Sequence, residues 1–520
     1  MSSKIFYSIS VLLLCVYFIN GCIAIPRLSL THDEADHFNY AMRSIKGHPE
    51  KVIPFDDAST MPISMVNTFP RVAEQLLRPS LTKSDGGVSD IFSGRYMTLL
   101  VSSLIGLFLL KIATELFGRC AGLCSLFLFV FCPNLNGHTV LVTTDAYSAL
   151  FTLTSAWYFR KAIIAPRNIN LILLGLNLGL AQLAKQSLTH LLIIFALLGL
   201  FYFIRNFRQL KIWKVFVSTA VVVVITLVVI NAGFQFHHTG MALQDYHFRS
   251  SFFQRLQQHS WVFGKVPLPV PEPYLSGLDL TKNIDEIGPG RPESSGSVYV
   301  LGQYAEGKGI WYYYFCVLLF KTPIPVILLT LMGLYYSFRQ RISVYSTGFI
   351  FGIVIAYLLC YFSFFYNSQV GIRHILMIFP LLYVLLGKVA AQAIQRKSRL
   401  NILAIYSVAT FYFYFPNLIA YTNEFLLPKR KAYHIMADSN IDYGQGYFFI
   451  QNYLRSHPDT RFADTLPAAG KFVIGINDYL DLQRTNKYAW LRNVEPVGQV
   501  AHCYLLLDVT PASLKKKRYE

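Results

Sequence analysis

The segment Thr31–His37, THDEADH, places three acids and two histidines within seven residues, directly after the first membrane-length apolar run. Only 14% of all residues are charged, so this group creates a local negative potential that can hold a cation or accept a proton. Thr31 and Glu34 have the spacing of a capping box, which gives those two residues a structural explanation. Asp33 and Glu34 lie four and three residues before His37, spacings that put side chains on one helix face, where they can share one ion. The segment is therefore the first candidate for chemistry.

Five further ionisable residues lie in or beside apolar runs, where a charge is costly and is a functional hypothesis by default. They are Asp145, Lys185, Lys321, Arg373 and His374. The fork of Arg373 can bind two phosphate oxygens and Lys185 can act as a point charge, whereas a carboxylate can remove a proton or bind a divalent ion. The structural alternative for the cations is snorkelling to lipid headgroups. The pattern favours a site for a phosphate-bearing substrate at the membrane edge.

Composition sets the fold class. With 520 residues, 54% of them hydrophobic, and a mean hydropathy of +0.41, the chain is not an ordinary soluble protein. We predict a polytopic α-helical membrane protein, because apolar runs of about 17 to 25 residues can cross a hydrocarbon core as helices. About eleven runs are found, near residues 5–25, 96–117, 120–136, 139–159, 169–184, 187–204, 214–233, 310–335, 345–366, 374–393 and 400–421.

The first run has a competing interpretation as a cleaved signal peptide. It follows Lys4 and ends near Cys22, but it is long for a signal sequence and lacks a small-residue cleavage site. We therefore expect a retained helix.

The net charge of +18 could indicate nucleic acid as a partner, but the distribution of the basic residues excludes it. They are concentrated in short loops that fall on one side if eleven spans alternate, and the positive-inside rule makes that side cytoplasmic. These residues are Arg160, Lys161, Arg167, Arg205, Arg208, Lys211, Lys214, Arg339, Arg341, Arg396, Lys397 and Arg399. The eight cysteines lie mostly within the spans, so no disulfide framework is predicted.

We divide the chain into a transmembrane domain, residues 1–421, and a small outer α/β domain, residues 422–520. Two long outer loops interrupt the first domain, at 26–95 and 234–309. The first is predicted to carry interfacial helices at Ala35–Ile45 and Thr68–Leu77, and the second, rich in Pro and Gly, to be an ordered loop or lid.

The outer domain is predicted from its falling hydropathy and short apolar runs. Lys471–Ile476 and Cys503–Leu507 have the pattern of buried strands, and Gly444–Arg455 that of an amphipathic helix. The residues Asp438, Asn440 and Asp442 favour an Asx-rich turn.

Several motifs in this order resemble one family of enzymes. They are Asp33-Glu34, Val142–Asp145, Gly309–Tyr314, Phe320–Pro325, Gly371–His374 and Asp438–Gln445. Together they resemble the C-type membrane glycosyltransferases, most closely the bacterial branch akin to protein O-mannosyltransferases and the aminoarabinose transferase of lipid A. The resemblance implies an inverting hexosyl- or pentosyltransferase that takes a sugar from a polyprenyl-phosphate donor. The implied acceptor is a hydroxyl of a lipid, glycan or protein.

The resemblance also implies roles for individual residues. Asp33 would be the general base, Asp145 a second acidic element, and Lys185 with Arg373 would hold the donor phosphate. Glu34 would bind a divalent ion, if one is used, or position the acceptor. His374 and Lys321 are further predicted contacts for the substrate, and Glu34 and His37 are candidate metal ligands.

Two other functions are compatible with many apolar spans. A transporter or lipid flippase is expected to carry ionisable residues along a path through the midplane and to show paired repeats. Here those residues gather at one face, and no such symmetry is visible. An oligosaccharide polymerase or another phospho-group transferase belongs to the same enzyme class. We expect a multi-pass protein surrounded by membrane lipids, in a bacterial inner membrane with its site on the outer face.

Overall fold

The fold is mainly helical and is described by a computed structural model for residues 2–52, 55–78, 87–259, 264–291, 296–339, 345–395, 400–492, 494–511 and 514. The predicted loop cations Arg341, Arg396, Lys397 and Arg399 lie outside these residues. In the first half the helices are α1 (Ser3–Ala24), α2 (Glu34–Ile45), α3 (Phe69–Leu77), α4 (Val88–Phe117), α5 (Arg119–Val130), α6 (Pro133–His138), α7 (Asp145–Ile164), α8 (Asn168–Ala184), α9 (Thr189–Arg205) and α10 (Ile212–Gly233). In the second half they are α11 (Ser251–His259), α12 (Glu272–Ile287), α13 (Tyr313–Lys321), α14 (Ile324–Arg339), α15 (Thr347–Phe364), α16 (Phe379–Gln395), α17 (Leu400–Tyr414), α18 (Tyr447–Ser456) and α19 (Ile476–Tyr479).

Six helical segments of the described chain are long and apolar enough to cross a membrane. A seventh is formed if α13 and α14, bent by 115° at the residues between them, make one broken span. The apolar helices α5, α8 and α17 are shorter. The predicted count of eleven is therefore not confirmed. The fourth predicted span also begins later than expected, because residues 139–144 form turns and α7 starts only at Asp145.

The centre of the helical region is built around α7, which is buried from Asp145 to Phe159. A helix that is enclosed on every side has no polar face, and the even distribution of small and apolar residues along α7 fits this position. α8 packs between α7 and α10, and α5 packs between α4 and α16. This packing fixes the ends of α7 and α8, where Asp145 and Lys185 lie.

The first outer segment contains the two helices expected from their amphipathic pattern, α2 and α3. Between them, Pro62–Thr68 forms a 3-10 helix that packs against α2 and α4. Asp33 is the residue that precedes the first turn of α2, so the packing of α2 determines where this carboxylate lies.

The second outer segment is more regular than predicted. It contains α11, α12 and a two-stranded antiparallel ribbon, β1 (Tyr299–Val300) with β2 (Gln303–Tyr304). Asp279 of α12 accepts hydrogen bonds from the backbone N–H groups of Arg249 and Ser250 and so joins the residues before α11 to α12. The prolines at 271 and 273 suggested a loop, but they flank the start of α12, where proline is tolerated because the first N–H groups have no helical partner.

The C-terminal region forms a four-stranded sheet with strand order β3-β4-β6-β5. Its strands are β3 (Thr460–Phe462), β4 (Gly470–Gly475), β5 (Gly498–Val500) and β6 (Tyr504–Val509), and only the pair β3 and β4 is parallel. The predicted strands and the helix α18 are present. Tyr299 of β1 packs in the same buried cluster as the sheet. The domain division at residue 421 stays a prediction, because the sheet shares its core with the second outer segment.

Candidate active site

Asp33, Arg373 and Tyr443 form one compact group, although they come from three distant parts of the chain. Arg373 Nη1 donates to Asp33 Oδ2 and to the hydroxyl of Tyr443, and the guanidinium lies over the Tyr443 ring at 4.7 Å from its centre. The side chains of Asp33 and Arg373 remain 17% and 14% exposed. Burial alone would raise the pKa of Asp33, but the charges of Arg373 and His37 and the hydrogen bond from Tyr443 lower it to about 2. Asp33 is therefore an accessible carboxylate anion.

A second pair of opposite charges is formed at the facing ends of α7 and α8. Lys185 Nζ donates to Asp145 Oδ1 at 2.7 Å, with the carboxylate buried and the lysine 17% exposed. His138 Nδ1 lies 3.8 Å from Asp145 Oδ2. Lys185 directly follows the last residue of α8, and Asp145 is the first residue of α7, so the packing of these two helices brings the charges together. Asp145 and Lys185, which the sequence places at one face of the membrane, thus form an ion pair.

His37 is buried and is close enough to both groups for Asp33 and Asp145 to affect its pKa. Burial lowers its pKa to about 4, although the charges of Asp33 and Asp145 act in the opposite direction. The imidazole is thus neutral at pH 7. Its Nδ1 is buried without a hydrogen-bond partner among the described residues, and the same holds for His374 Nδ1 and Arg373 Nε. Buried polar atoms are normally partnered, so these three nitrogen atoms keep unused hydrogen-bonding capacity at the site.

Glu34 has a different environment from its neighbour Asp33. Arg95 Nε donates to Glu34 Oε1 at 2.8 Å and Arg95 Nη2 to Oε2 at 2.5 Å, and both side chains are fully buried. The N–H of Val142 also donates to Oε1 and the N–H of Thr31 to Oε2. The hydrogen bond from the N–H of Thr31 to the Glu34 side chain is one of the two bonds of the predicted capping box. The helix itself begins later than a capping box at Thr31 implies, because Asp33 is the residue that precedes it.

The described residues do not favour a metal ion on Glu34. Both of its oxygen atoms accept hydrogen bonds from Arg95 and from backbone N–H groups, so a cation would displace an arginine. Within the described ranges, no group of three or more His, Cys, Asp or Glu side chains is arranged to hold a metal. The assignment of Glu34 and His37 as metal ligands stays a prediction.

Lys321 ends α13, just before the sharp bend to α14. Its Nζ donates to the carbonyl oxygens of Ile419, at 2.6 Å, and of Asn440. The side chain is 1% exposed. The prediction that Lys321 binds substrate is not tested by these contacts, which join it to the backbone of two other segments.

The segment Asp438–Gln445 contains the site residue that sequence reasoning missed, Tyr443. The expected Asx turn is present, because Asp442 Oδ1 accepts from the N–H of Gly444 at 3.0 Å. The same segment also places the Tyr443 hydroxyl within hydrogen-bond distance of Arg373 and Asp33. Burial raises the pKa of Asp438 and, to about 6, that of Asp442. The concentration of polar residues in this motif was the available signal for a site residue. An Asx turn accounted for those polar residues, so Tyr443 was not selected.

This arrangement can bind an anion and accept a proton at adjacent points. Arg373 and Lys185 supply positive charge, and each is partly exposed. Asp33 can accept a proton from a hydroxyl within hydrogen-bond reach. Removing a proton from a nucleophile beside a bound phosphate leaving group is what a glycosyl transfer requires.

Residues 86–232 match the family model of dolichyl-phosphate-mannose-protein mannosyltransferases. No curated protein sequence matches the chain. In structure, the chain is similar to ArnT from Cupriavidus metallidurans bound to undecaprenyl phosphate, with a TM-score of 0.50 and 12% identity over 99% of each chain.

It is also similar to the oligosaccharyltransferase of Archaeoglobus fulgidus, with a TM-score of 0.50 and 12% identity over 78% of this chain and 52% of that one. At 12% identity, these two similarities show that this chain shares the fold of those proteins, and they show only the fold. The family match covers α7 and α8, with Asp145 at the start of α7 and Lys185 directly after α8. The resemblance stated from the motifs is thereby confirmed, and the chain is a multi-pass membrane protein with the fold of the C-type glycosyltransferases.

Proposed function

We propose that the protein is a glycosyltransferase that moves a sugar from a polyprenyl-phosphate donor to an acceptor hydroxyl. The observation that carries this proposal is the position of Arg373, whose Nη1 binds the candidate base Asp33 while the side chain stays 14% exposed. A guanidinium with free donors can bind a phosphate oxygen next to that base. The undecaprenyl phosphate in the ArnT structure supports a lipid-phosphate donor.

Binding of the donor would make Asp33 a stronger base. Arg373 is the largest influence that lowers the pKa of Asp33 against the effect of burial. A phosphate that takes up the charge of Arg373 removes much of that influence, so the pKa of the carboxylate rises. Donor binding and base activation are then coupled through one guanidinium.

The chemical step uses Asp33 and the two cations. As the acceptor hydroxyl attacks the anomeric carbon of the sugar, Asp33 takes its proton and a new carbon–oxygen bond forms. The bond between that carbon and the donor phosphate breaks, and the bonding electrons leave with the phosphate. Arg373 and Lys185 stabilise the charge of the leaving phosphate, with Asp145 orienting Lys185. Attack opposite the leaving group inverts the sugar, a hexose or a pentose.

The location of the site supports an outer-face reaction. Asp145 and Lys185 lie at the ends of α7 and α8 that face away from the basic residues Arg160, Lys161 and Arg167. Under the positive-inside rule those basic ends are cytoplasmic. We infer that the acceptor, a lipid, glycan or protein, reaches the site from the periplasmic side of a bacterial inner membrane.

A product assay tests the proposal. Purified protein in liposomes is given labelled polyprenyl-phosphate monosaccharides and envelope extracts as acceptors, and the product is identified by mass spectrometry. The proposal expects a glycosidic product with release of polyprenyl phosphate. Movement of the donor across the bilayer without a product would favour the transporter alternative instead.

The base is tested by a matched pair of variants. Asp33→Asn is expected to lower the transfer rate by about 100-fold or more, because general-base catalysis contributes about that much. Asp36→Asn, three residues further along, is the control and is expected to stay active. Since burial and the charge of Asp56 raise the pKa of Asp36 to about 6, it is the rival base. The opposite result would assign the proton transfer to Asp36.

A further inference from the structure

We propose that Asn440 and Tyr313 are positioning residues that set the place of Arg373 for the donor phosphate. The inference rests on the proposed function of Arg373. It gives a role to the motif Asp438–Gln445 beyond that of a turn.

The backbone directly before Arg373 is held at two consecutive N–H groups. The N–H of Gly371 donates to the hydroxyl of Tyr313, and that of Ile372 to Asn440 Oδ1, both at 3.0 Å. Asn440 Nδ2 also donates to the Tyr313 hydroxyl, at 2.9 Å, which closes the group. Tyr313 and Asn440 are 1% and 0% exposed. We call these three hydrogen bonds the clamp.

The backbone at Gly371, which the clamp holds, has little conformational freedom. Gly371 has φ of +62°, a conformation that L side chains rarely adopt. A Cβ atom there would overlap Ser439 Oγ, so the motif Asp438–Gln445 packs directly against the glycine. The residues before Arg373 are therefore fixed by conformation and by contact.

The backbone of Asn440 is held by a hydrogen bond from Lys321. Lys321 Nζ donates to the carbonyl of Asn440, and Asn134 Nδ2 donates to the carbonyl of Lys321. Two helices, α6 and α13, thus anchor the clamp. A buried, hydrogen-bonded network of this kind fixes one arrangement, because an unmade bond in it is costly.

The same segment also holds the side chain of Arg373, through Tyr443. Asn440 and Tyr443, three residues apart, thus act on the backbone and on the guanidinium of one arginine. Because Arg373 reaches toward Asp33, a small shift of its backbone changes the distance between the phosphate site and the base. A clamp on the backbone controls this distance without touching substrate.

The test compares two neighbouring tyrosines. Tyr313→Phe removes only a hydroxyl and leaves both the N–H of Gly371 and Asn440 Nδ2 without that acceptor. Tyr314→Phe is the matched control, since Tyr314 is fully buried and its hydroxyl has no hydrogen-bond partner among the described residues. The readout is the Kd for undecaprenyl phosphate of monodisperse protein in detergent. We expect Tyr313→Phe to weaken binding by about tenfold, because the backbone before Arg373 loses one of its two hydrogen bonds and Asn440 loses its bond to the hydroxyl. Tyr314→Phe should weaken binding by less than about twofold.

A double-mutant cycle separates positioning from general destabilisation. In an Arg373→Lys background, Tyr313→Phe should change the Kd by less than about twofold, because residues that act through one partner are not additive. Asn440→Ala, which removes both the acceptor for the N–H of Ile372 and the donor to the Tyr313 hydroxyl, is the second variant and should show the same coupling. Equal effects in both backgrounds, or a Tyr314→Phe effect as large as that of Tyr313→Phe, would overturn the inference. A wild-type protein that binds undecaprenyl phosphate no better than Arg373→Lys would overturn the proposed donor site itself.

Discussion

Two arginine–carboxylate pairs begin at adjacent residues of this chain but differ in their surroundings. Glu34 and Arg95 are fully buried, and Arg95 makes five hydrogen bonds, two to Glu34 and three to the carbonyls of Ile25, Leu28 and Ser29. Asp33 and Arg373 are partly exposed, and Arg373 Nε has no partner among the described residues. The first pair has used its hydrogen-bonding capacity within the protein, whereas the second keeps some of it.

This difference in free hydrogen-bonding groups distinguishes a structural ion pair from a reactive one more clearly than the residue types do. A group can bind substrate only if some of its donors or acceptors are free and reachable. Glu34 joins the start of α2 to α4 and to the backbone at Val142, near the start of α7. It therefore holds the helix that carries Asp33. We infer that Glu34 supports the site and that Asp33 reacts in it.

Removing Arg95 should have the largest effect. Arg95→Ala leaves the Glu34 carboxylate buried and unpaired, and breaking a buried pair in this way costs about 3 to 5 kcal/mol. We expect a large loss of thermal stability in detergent, or failure to fold. Arg167→Ala, at an exposed arginine before α8, is the control and should change the free energy of unfolding by less than about 0.5 kcal/mol. A stable, active Arg95→Ala protein would contradict the structural role of the pair.

The next prediction makes the same substitution in both pairs. Arg373→Lys keeps the charge but loses the fork, so the Kd for undecaprenyl phosphate should rise about tenfold, or about 1.4 kcal/mol, with little change in stability. Arg95→Lys should lower the melting temperature instead, because a lysine cannot make the five bonds of Arg95. Calorimetry in detergent and lipid titration measure the two outcomes. If both variants lose only stability, the division between the pairs is wrong.

The sequence predicted those elements whose signal is local. The amphipathic spacing in α2 and α3 predicted both helices, and the apolar runs of β4 and β6 predicted strands. α12 was missed because its flanking prolines and glycines are typical of loops, although they also fit a helix start and end. Local pattern does not distinguish these two uses of proline.

The candidate site was predictable in its residue types and only partly in its pairings. The single-face grouping of Asp145 and Lys185 followed from alternating spans, and their ion pair is observed. Glu34 and Arg95 are 61 residues apart, so nothing near Glu34 indicated that its charge was already paired. Tyr443 lies 70 residues from Arg373, and only the fold brings them together. An arginine near the outer end of an apolar helix, such as Arg95, was the available signal for a buried acid.

The smallest effect is predicted for Asp442, a carboxylate that has acids rather than an arginine as its charged neighbours. Burial raises its pKa to about 6, and the charges of Asp478 and Asp438 add to the effect, against one hydrogen bond from the N–H of Gly444. Because the folded pKa lies above the unfolded value of 3.8, the folded state binds more protons between about pH 4 and pH 6. The protein therefore loses stability as the pH rises through that window.

Asp442→Asn removes this cost and keeps an oxygen that can accept from Gly444. We expect it to raise the free energy of unfolding at pH 7 by about 1 kcal/mol, allowing for the partial exposure of Asp442, and to have little effect at pH 4. Asp464→Asn, at an exposed acid between β3 and β4, is the control for loss of one negative charge. Melting curves at both pH values measure the difference. An Asp442→Asn variant that is destabilised at pH 7 would mean that the charge is stabilised by contacts in the turn, and that an acid here does not need an arginine as Asp33 and Glu34 do.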